Sequence, residues 1–314
     1  MFSNGSVFND MKKDFLSLGD FSSQELQDML VTGLVMKDRP AEFHDALKGK
    51  TLGMIFNKRS TRTRISFQVG ILQLGGYGLV LSPNDLQLSR GESIEDTARI
   101  LSGYLDGVMI RTFAHEEIVE FARHATIPVI NGLTDYNHPC QAMADMLTLL
   151  KYNSTLEGLK LAYLGDSNNV TVSLLFACVH FGMHMAIISP EGYTLDPSVM
   201  ESVREQAEQK GLSITLTSDV EEGVAGADAV YTDTWTSMGQ EDEAEKRLKD
   251  LDAYRVDARV MSLAKPGAFF MHCLPAHRGE EVSADVMDGG QSLVWEQAEN
   301  RLHIQKSILY HLMK

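Results

Sequence analysis

The sequence predicts an α/β protein of two domains, each an open parallel sheet flanked by helices. Three observations support this fold class. Apolar runs of strand length recur along the chain, and they are continuous rather than alternating, which is typical of strands buried on both faces of a parallel sheet. Segments with helical periodicity separate the runs, as in successive β–α units. The length of 314 residues exceeds that of a typical domain of roughly 100–200 residues.

The predicted strands fall into two groups. The first group is Thr51–Phe56, Gly78–Leu81, Gly107–Ile110 and Ile127–Ile130. The second group is Leu159–Leu164, His184–Ile188, Ile214–Leu216, Ala229–Tyr231 and Ala268–Met271. Between them the polar stretch 151–155 interrupts the pattern, so we expect a boundary near Leu150–Gly158 and two domains, 1–150 and 151–314.

Helical patterns connect these strands. Residues 93–105 place four apolar residues on one face, and Ser93 and Asp96 have the spacing of a capping box. A second apolar stripe, Ile65, Val69 and Leu72, predicts a helix that ends at Gly75 and Gly76.

Two later segments have distinct patterns. The last segment, about 297–314, repeats Ala298, Leu302, Gln305, Leu309 and Leu312 at helical spacing, which predicts a C-terminal helix that packs back across the chain onto the first domain. The charge-dense segment Gln240–Asp252 is predicted to be a mobile loop.

Charge and composition exclude several classes of partner. The net charge of −15 disfavours nucleic acid and anionic membranes, since both are bound through clustered Lys and Arg. No apolar stretch is long enough to span a membrane, and the first 20 residues lack the pattern of a signal or transit peptide, so we expect a cytoplasmic protein. Three cysteines without metal-ligand spacing argue against a disulfide framework and against structural zinc.

The loops that follow the strands carry the candidate functional residues, because ligands of open α/β sheets bind beyond the carboxyl ends of the strands. After Thr51–Phe56 comes Asn57-Lys58-Arg59-Ser60-Thr61-Arg62-Thr63-Arg64, which leads directly into a helix. Helix N–H groups, hydroxyls and guanidinium groups together favour an anion, although a solvated helix start with ordinary Ser/Thr caps has the same composition. It is not a Walker loop, since the GxxxxGK pattern is missing.

Further polar residues follow the next strands of the first group. Arg111 directly follows Gly107–Ile110, and His138-Pro139-Cys140-Gln141 opens the helix after Ile127–Ile130. His138 and Gln141 lie one helical turn apart, so that an imidazole and an amide can contact one ligand. A single histidine is more often structural, but this one begins a helix on the carboxyl side of a strand.

The second group ends in three polar loops. Gly165-Asp166-Ser167-Asn168-Asn169 lacks the glycines of a dinucleotide turn, so its asparagines are interpreted as polar contacts or an N-cap. Asp233 to Gly239 combines a carboxylate, hydroxyls and a turn, which suits a ligand with both an ammonium and a carboxylate. Cys273, in His272-Cys273-Leu274-Pro275, follows the last strand, although a buried cysteine usually serves as a small apolar residue.

In this order and at this spacing, the motifs resemble those of the ornithine carbamoyltransferases over essentially the whole chain. The motifs that carry the resemblance are Ser60-Thr61-Arg62-Thr63-Arg64, His138-Pro139-Cys140-Gln141, Asp233 with Ser237-Met238-Gly239, and His272-Cys273-Leu274-Pro275. Glu299-Asn300-Arg301 also resembles a late arginine motif of that family.

The resemblance implies which residues bind carbamoyl phosphate. They are Ser60, Thr61, Arg62, Thr63, Arg111, His138, Pro139, Cys140, Gln141, Cys273, Leu274, Arg301 and, reaching into a neighbouring subunit's site, Gln87. It implies that Asn169, Asp233, Ser237 and Met238 bind L-ornithine. The residues expected to take part in the chemistry are Arg62, Arg111, His138, Asp233 and Cys273.

The resemblance also implies an activity and an assembly. Transfer of the carbamoyl group to ornithine yields citrulline and phosphate in arginine biosynthesis, by positioning and charge stabilisation, with neither metal nor organic cofactor. The family forms homotrimers with shared active sites, so the resemblance implies a homotrimer or a multiple of trimers. Catabolic citrulline phosphorolysis, putrescine carbamoylation and a non-catalytic α/β binding protein are the alternatives. The sequence does not indicate the physiological direction.

Overall fold

The computed structural model describes residues 12–82, 86–87, 91–236 and 241–314, which form two parallel β-sheets flanked by helices. The first sheet contains β1 (Thr51–Phe56), β2 (Tyr77–Leu81), β3 (Gly107–Arg111) and β4 (Val129–Leu133), in the order β2-β1-β3-β4. The second contains β5 (Lys160–Leu164), β6 (His184–Ile188), β7 (Ile214–Thr217), β8 (Ala229–Thr232) and β9 (Phe269–His272), in the order β7-β6-β5-β8-β9. The predicted fold class is confirmed.

Helices connect the strands on both sides of the sheets. Those of the first half are α1 (Ser23–Asp38), α2 (Arg62–Gln73), α3 (Ile94–Ser102), α4 (His115–His124) and α5 (Pro139–Tyr152). Those of the second half are α6 (Asn169–His180), α7 (Pro197–Gln209), α8 (Val220–Val224), α9 (Ala244–Leu251), α10 (Ala258–Leu263), α11 (Ala284–Met287) and α12 (Val294–Met313). Among the described residues, no helix has the length and apolar character needed to cross a bilayer.

The strands form where the continuous apolar runs predict them, with bounds that differ at the ends. β1 and β6 have the predicted bounds, whereas β4 begins at Val129 and ends at Leu133 instead of spanning 127–130. Pro128 has no N–H to donate to a ladder, and buried Asn131 extends the strand beyond its apolar run.

One core cluster joins the two sheets. It contains residues from α1, α5, α6 and α12 together with both sheets, while two smaller clusters lie within the second and first halves. Helix α5 is buried on every side from Pro139 to Leu149. Helix α12 packs against α1, α2 and α5 of the first half, as the sequence predicts.

Two expectations about local structure are wrong. Helix α2 forms, but Ile65 and Leu72 of its predicted apolar stripe are 53% and 67% exposed, and the helix buries Phe67 and Ile71 instead. The segment predicted to be a mobile loop contains α9, because Arg247 and Leu251 are buried and anchor it.

Candidate active site

A cleft of about 1300 Å³ lies between the two sheets, and loops at the carboxyl ends of strands from both sheets line it. Most of the site residues expected from the sequence lie together in its wall. They are Ser60, Thr61, Arg62, Thr63, Arg111, His138, Gln141, Asn169, Asp233, Cys273, Leu274 and Arg301.

The turn from β1 into α2 presents hydrogen-bond donors to the cleft. Ser60 Oγ accepts a hydrogen bond from the backbone N–H of Thr63 at 3.2 Å and so shapes the first turn of α2. Arg62 Nη2 donates to the carbonyl oxygen of Leu274 at 2.5 Å. Arg62 therefore connects the first half of the chain to the loop after β9.

Arg301 of α12 is buried against the same turn. Its Nη2 donates to Thr63 Oγ1 at 2.9 Å, and its Nη1 donates to Gln141 Oε1 at 2.6 Å. Arg301 Nε has no hydrogen-bond partner among the described residues. The C-terminal helix thus places a guanidinium group between the α2 turn and the start of α5.

Arg62 and Arg301 lie close enough to Arg111 for their charges to lower its pKa. Burial and the charges of Arg301 and Arg62 lower the pKa of Arg111 to about 10, so Arg111 stays charged at neutral pH. Burial also lowers the pKa of Arg301. Three crowded cations in a wall of an acidic protein are an unfavourable arrangement that a bound anion relieves.

His138 occupies the N-cap position of α5, beside these cations. Its backbone N–H donates to Ser173 Oγ at 2.7 Å, while its Nδ1 has no partner within the described part of the chain. Burial, followed by the charges of the three arginines, lowers the pKa of His138 well below 6.5. The imidazole is therefore neutral at pH 7 and carries one N–H donor.

Asp233 and Cys273 form the opposite wall. Cys273 Sγ donates to Asp233 Oδ1 at 2.7 Å, and Asn168 Nδ2 donates to Asp233 Oδ2 at 2.7 Å. Burial and the neighbouring carboxylate of Asp233 raise the pKa of Cys273 well above 9.0, so the group is a neutral thiol. This wall presents a carboxylate that is already oriented by hydrogen bonds.

Hydrogen bonds to the His272 imidazole hold the loop after β9 in place. The backbone N–H of Leu274 donates to His272 Nδ1 at 2.8 Å, and His272 Nε2 lies 3.2 Å from Glu281 Oε1. Leu274 has a φ of 61°, which is costly for a branched residue and persists only where its surroundings enforce it. This conformation directs the Leu274 carbonyl at Arg62.

Other predicted site residues lie elsewhere or outside the description. Pro139 and Cys140 do not line the cleft, and the Cys140 thiol donates to the Asn131 carbonyl at 3.4 Å in the core. Gln87 is exposed and lies outside its own chain's cleft. Ser237 and Met238 fall outside the described residues.

Two groups of side chains have possible metal-ligand atoms within 4.8 Å of one another, Asp233–His272–Cys273 and His277–Glu280–Glu281. In the first group, both ring nitrogens of His272 and the thiol of Cys273 already take part in hydrogen bonds. In the second, Glu281 Oε1 accepts from the His277 backbone N–H at 2.5 Å. The second group differs in that Glu281 Oε2 is buried and has no hydrogen-bond partner among the described residues. The absence of a metal requirement stays a prediction.

Sequence reasoning missed several residues that support the site. Asp145 and Gln297 lie behind the cleft wall and bond to Gln141 and to His272, the last residue of β9, respectively. The spacing of Gln141 and Asp145, four residues apart on a helix, was an available signal. For Gln297, a polar residue within an apolar helix pattern was the only indication.

A guanidinium-lined cleft between two parallel sheets defines the class, an α/β protein with a cleft whose cationic wall suits an anionic ligand. Residues 13–151 match the family description "Aspartate/ornithine carbamoyltransferase, carbamoyl-P binding domain", and residues 157–312 match the "Asp/Orn binding domain" of the same family. The chain belongs to the aspartate/ornithine carbamoyltransferase family.

Individual relatives are similar over almost the whole chain. The chain is 56% identical to the ornithine carbamoyltransferase of Symbiobacterium thermophilum, over 96% of this chain and 98% of that protein. The structure of ornithine carbamoyltransferase from Pyrococcus furiosus is similar with a TM-score of 0.93 at 47% identity, covering 96% and 97% of the two chains. An anabolic ornithine carbamoyltransferase from Campylobacter jejuni gives a TM-score of 0.91 at 41% identity, covering 96% and 98%.

Proposed function

We propose that this chain is an ornithine carbamoyltransferase, which transfers the carbamoyl group of carbamoyl phosphate to the side-chain amine of L-ornithine and gives L-citrulline and phosphate. The observation that carries the proposal is the pairing, across one cleft, of a three-arginine wall with the Asp233–Cys273 wall. The first suits a phosphorylated anion and the second an ammonium group. Relatives of 50% identity and more have the same activity in their names.

The first half, 1–150, is assigned to carbamoyl phosphate. The N–H groups at the start of α2, the hydroxyls of Ser60 and Thr61 and the side chain of Arg62 bind the phosphate. His138, Gln141 and Arg301 lie at the start of α5 and in α12, where they surround the carbamoyl end. To bind phosphate, Arg62 exchanges its bond to the Leu274 carbonyl for bonds to phosphate oxygens.

The second half, 151–314, is assigned to ornithine. Asp233 pairs with an ammonium group, and Asn169, Ser237 and Met238 contact the amino-acid end. The position of Asn169 in the cleft wall supports this assignment, and its Nδ2 donates to the Thr134 carbonyl of the first half at 2.6 Å.

The chemical step follows from these positions. The neutral side-chain amine attacks the carbamoyl carbon, the carbonyl oxygen becomes an oxyanion, and the bond to the phosphate oxygen breaks as phosphate departs. Arg62, Arg111 and the neutral N–H of His138 stabilise the oxyanion and the departing phosphate. The amine proton leaves with phosphate or through Asp233, and Cys273, as a neutral thiol, acts as a donor rather than as a base.

We also propose a homotrimer. Its support is an apolar surface, defined by Ile65 and Leu72 of α2 and Tyr77 and Leu79 of β2, with exposed fractions of 48–67%. β2 is an edge strand, whose unpaired backbone groups favour a covered position. Gln87 follows this surface and is assigned to the neighbouring subunit's cleft. The cytoplasmic location stays a prediction.

A comparison of three candidate acceptor amines tests the function. Initial rates of carbamoyl transfer from carbamoyl phosphate are measured with ornithine, putrescine and aspartate in parallel. We expect ornithine to be preferred over putrescine by orders of magnitude in kcat/KM, because a site that binds an amino acid leaves polar groups unpaired when the substrate lacks them.

Asp233→Asn supplies the matched variant. It keeps the shape and loses the charge, so we expect ornithine turnover to collapse while carbamoyl phosphate still binds. Equal kcat/KM for putrescine and ornithine in the wild-type protein contradicts the substrate assignment, and an absence of transfer to all three amines contradicts the function.

A further inference from the structure

A buried carboxylate lies directly behind the arginine wall. Asp145 of α5 is 0% exposed and does not line the cleft. Its Oδ1 accepts from Gln141 Nε2 at 2.8 Å and from Gln297 Nε2 at 2.7 Å, and its Oδ2 accepts from the Tyr231 hydroxyl at 3.1 Å. All three donors are uncharged, so Asp145 is a buried carboxyl group that has no direct ion pair among these contacts.

This carboxylate fixes the orientation of the Gln141 amide. Asp145 Oδ1 is the acceptor for two amide groups, so the NH₂ end of Gln141 faces Asp145 and the oxygen end faces the cleft. There Gln141 Oε1 accepts from Arg301 Nη1 at 2.6 Å. A reversed amide would direct its NH₂ group at the guanidinium group and would break both bonds.

A second chain of hydrogen bonds runs from Asp145 through Gln297 towards the opposite wall of the cleft. Gln297 Oε1 accepts from the backbone N–H of His272 at 2.9 Å, one residue before Cys273. Tyr231 belongs to β8, which leads into Asp233. Asp145 therefore joins elements of both halves, namely α5, α12, β8 and the end of β9.

We propose that Asp145 is a positioning residue that sets the Gln141 amide and, through it, the Arg301 guanidinium group for carbamoyl phosphate. This inference rests on the proposed function. A stability role alone does not account for the arrangement, because burying a carboxylate without a paired cation is costly and an apolar residue of similar volume packs such a space as well. The carboxylate supplies an acceptor that two amide groups share.

The test uses binding of carbamoyl phosphate alone, measured by calorimetry, so that it does not depend on turnover. Asp145→Asn keeps one acceptor oxygen for the two glutamines, and we expect a Kd within about threefold of wild type. Asp145→Leu removes the acceptor, and we expect Kd to rise by about one to two orders of magnitude. A folded Asp145→Leu protein with wild-type Kd, or an Asn variant as weak as the Leu variant, overturns the proposal.

A double-mutant cycle that exchanges the amide and the carboxylate between positions 141 and 145 keeps the proposal testable if Asp145→Leu does not fold. Gln141→Glu places two acceptors against each other, and we expect weak binding. Adding Asp145→Asn supplies an NH₂ donor for Glu at position 141, so the double variant should recover at least about tenfold in Kd relative to Gln141→Glu alone. Additive effects overturn the proposal. A failure of the proposed function is a separate result, since wild-type protein would then form no citrulline.

Discussion

At the residue scale, the cleft wall contains buried polar atoms that have no hydrogen-bond partner among the described residues. Arg111 Nε, His138 Nδ1 and Arg301 Nε are buried and have no hydrogen-bond partner within the described part of the chain. Buried polar atoms are nearly always paired, and exceptions concentrate where a water, an ion or a substrate belongs. These atoms indicate where the protein gives up stability of the free form to favour binding of an anion.

Arg62 gives the sharpest test of the phosphate site. Arg62→Gln should remove a charge-assisted contact worth about 2–5 kcal/mol in a desolvated site, and kcat/KM for carbamoyl phosphate should fall by orders of magnitude. Steady-state kinetics checks this. Arg99→Gln is the control, because Arg99 is exposed and its ion pair is with Glu95 of the same helix, α3. A folded Arg62→Gln protein with near-normal kinetics would contradict the assignment.

Asp145 also predicts a pH dependence of stability. Burial raises the pKa of Asp145 to about 7 from an ordinary value of 3.8. Because the folded-state pKa is the higher one, its contribution is fully present below about pH 4 and is lost as the pH rises towards 7. Asp145→Asn should therefore gain stability relative to wild type across this range, by on the order of a few kcal/mol.

Urea unfolding of both proteins at several pH values measures the difference. His180, whose burial lowers its pKa to about 4, changes stability in the opposite direction over the same range but contributes equally to both proteins. Parallel stability curves for wild type and Asp145→Asn would show that the carboxylate does not carry the effect.

At the element scale, the sequence predicts strands better than it predicts helix faces. The strands of both sheets follow from continuous apolar runs, and the candidate site follows from the motifs at their carboxyl ends. The α2 stripe was misassigned because Ile65 and Leu72 are apolar and at helical spacing, yet the sequence does not tell whether such a face meets the core or another subunit. Asp145 escaped prediction because its role depends on partners from two other elements, Gln297 of α12 and Tyr231 of β8.

The contact of α1 with α12 yields a stability prediction. A Cβ added to Gly33 would lie 3.5 Å from side-chain carbons of Ile304 and Leu147, which is ordinary van der Waals contact. Gly33 is in the interior of α1, so Gly33→Ala should stabilise the protein by about 0.5–1 kcal/mol.

Gly53→Ala in β1 is the matched contrast. The added Cβ would lie 2.5 Å from Leu105 Cδ1, so this substitution should destabilise the protein. Thermal unfolding of the two variants distinguishes the cases. A destabilised Gly33→Ala protein would show that α1 and α12 are packed more tightly than described.

At the scale of the whole molecule, the exposed surface of α2 and β2 predicts assembly. Leu72→Lys should leave the fold intact and reduce the sedimenting mass from that of three chains, or a multiple, towards one. Leu216→Lys is the control, because Leu216 is 46% exposed on β7, the edge strand of the other sheet. A wild-type monomer with full activity would contradict the trimer.

Hybrid sites give a second measurement of assembly. If Gln87 completes a neighbouring cleft, inactive Arg62 and inactive Gln87 variants should regain activity when they are mixed and allowed to exchange subunits. If no activity is recovered after subunit exchange has been demonstrated, Gln87 does not complete the neighbouring cleft. That result would not contradict the oligomer itself.

The position of α12 has a consequence for biosynthesis. The ribosome synthesises the chain from its N-terminus, so α1, α2 and α5 emerge long before residues 294–313, which cover them. The apolar groove among these three helices stays open throughout translation of the second half. Nascent chains are therefore exposed to chaperones and proteases until the final helix docks. A premature stop between residues 294 and 301 leaves the first half uncovered and removes Arg301 from the cleft in one event.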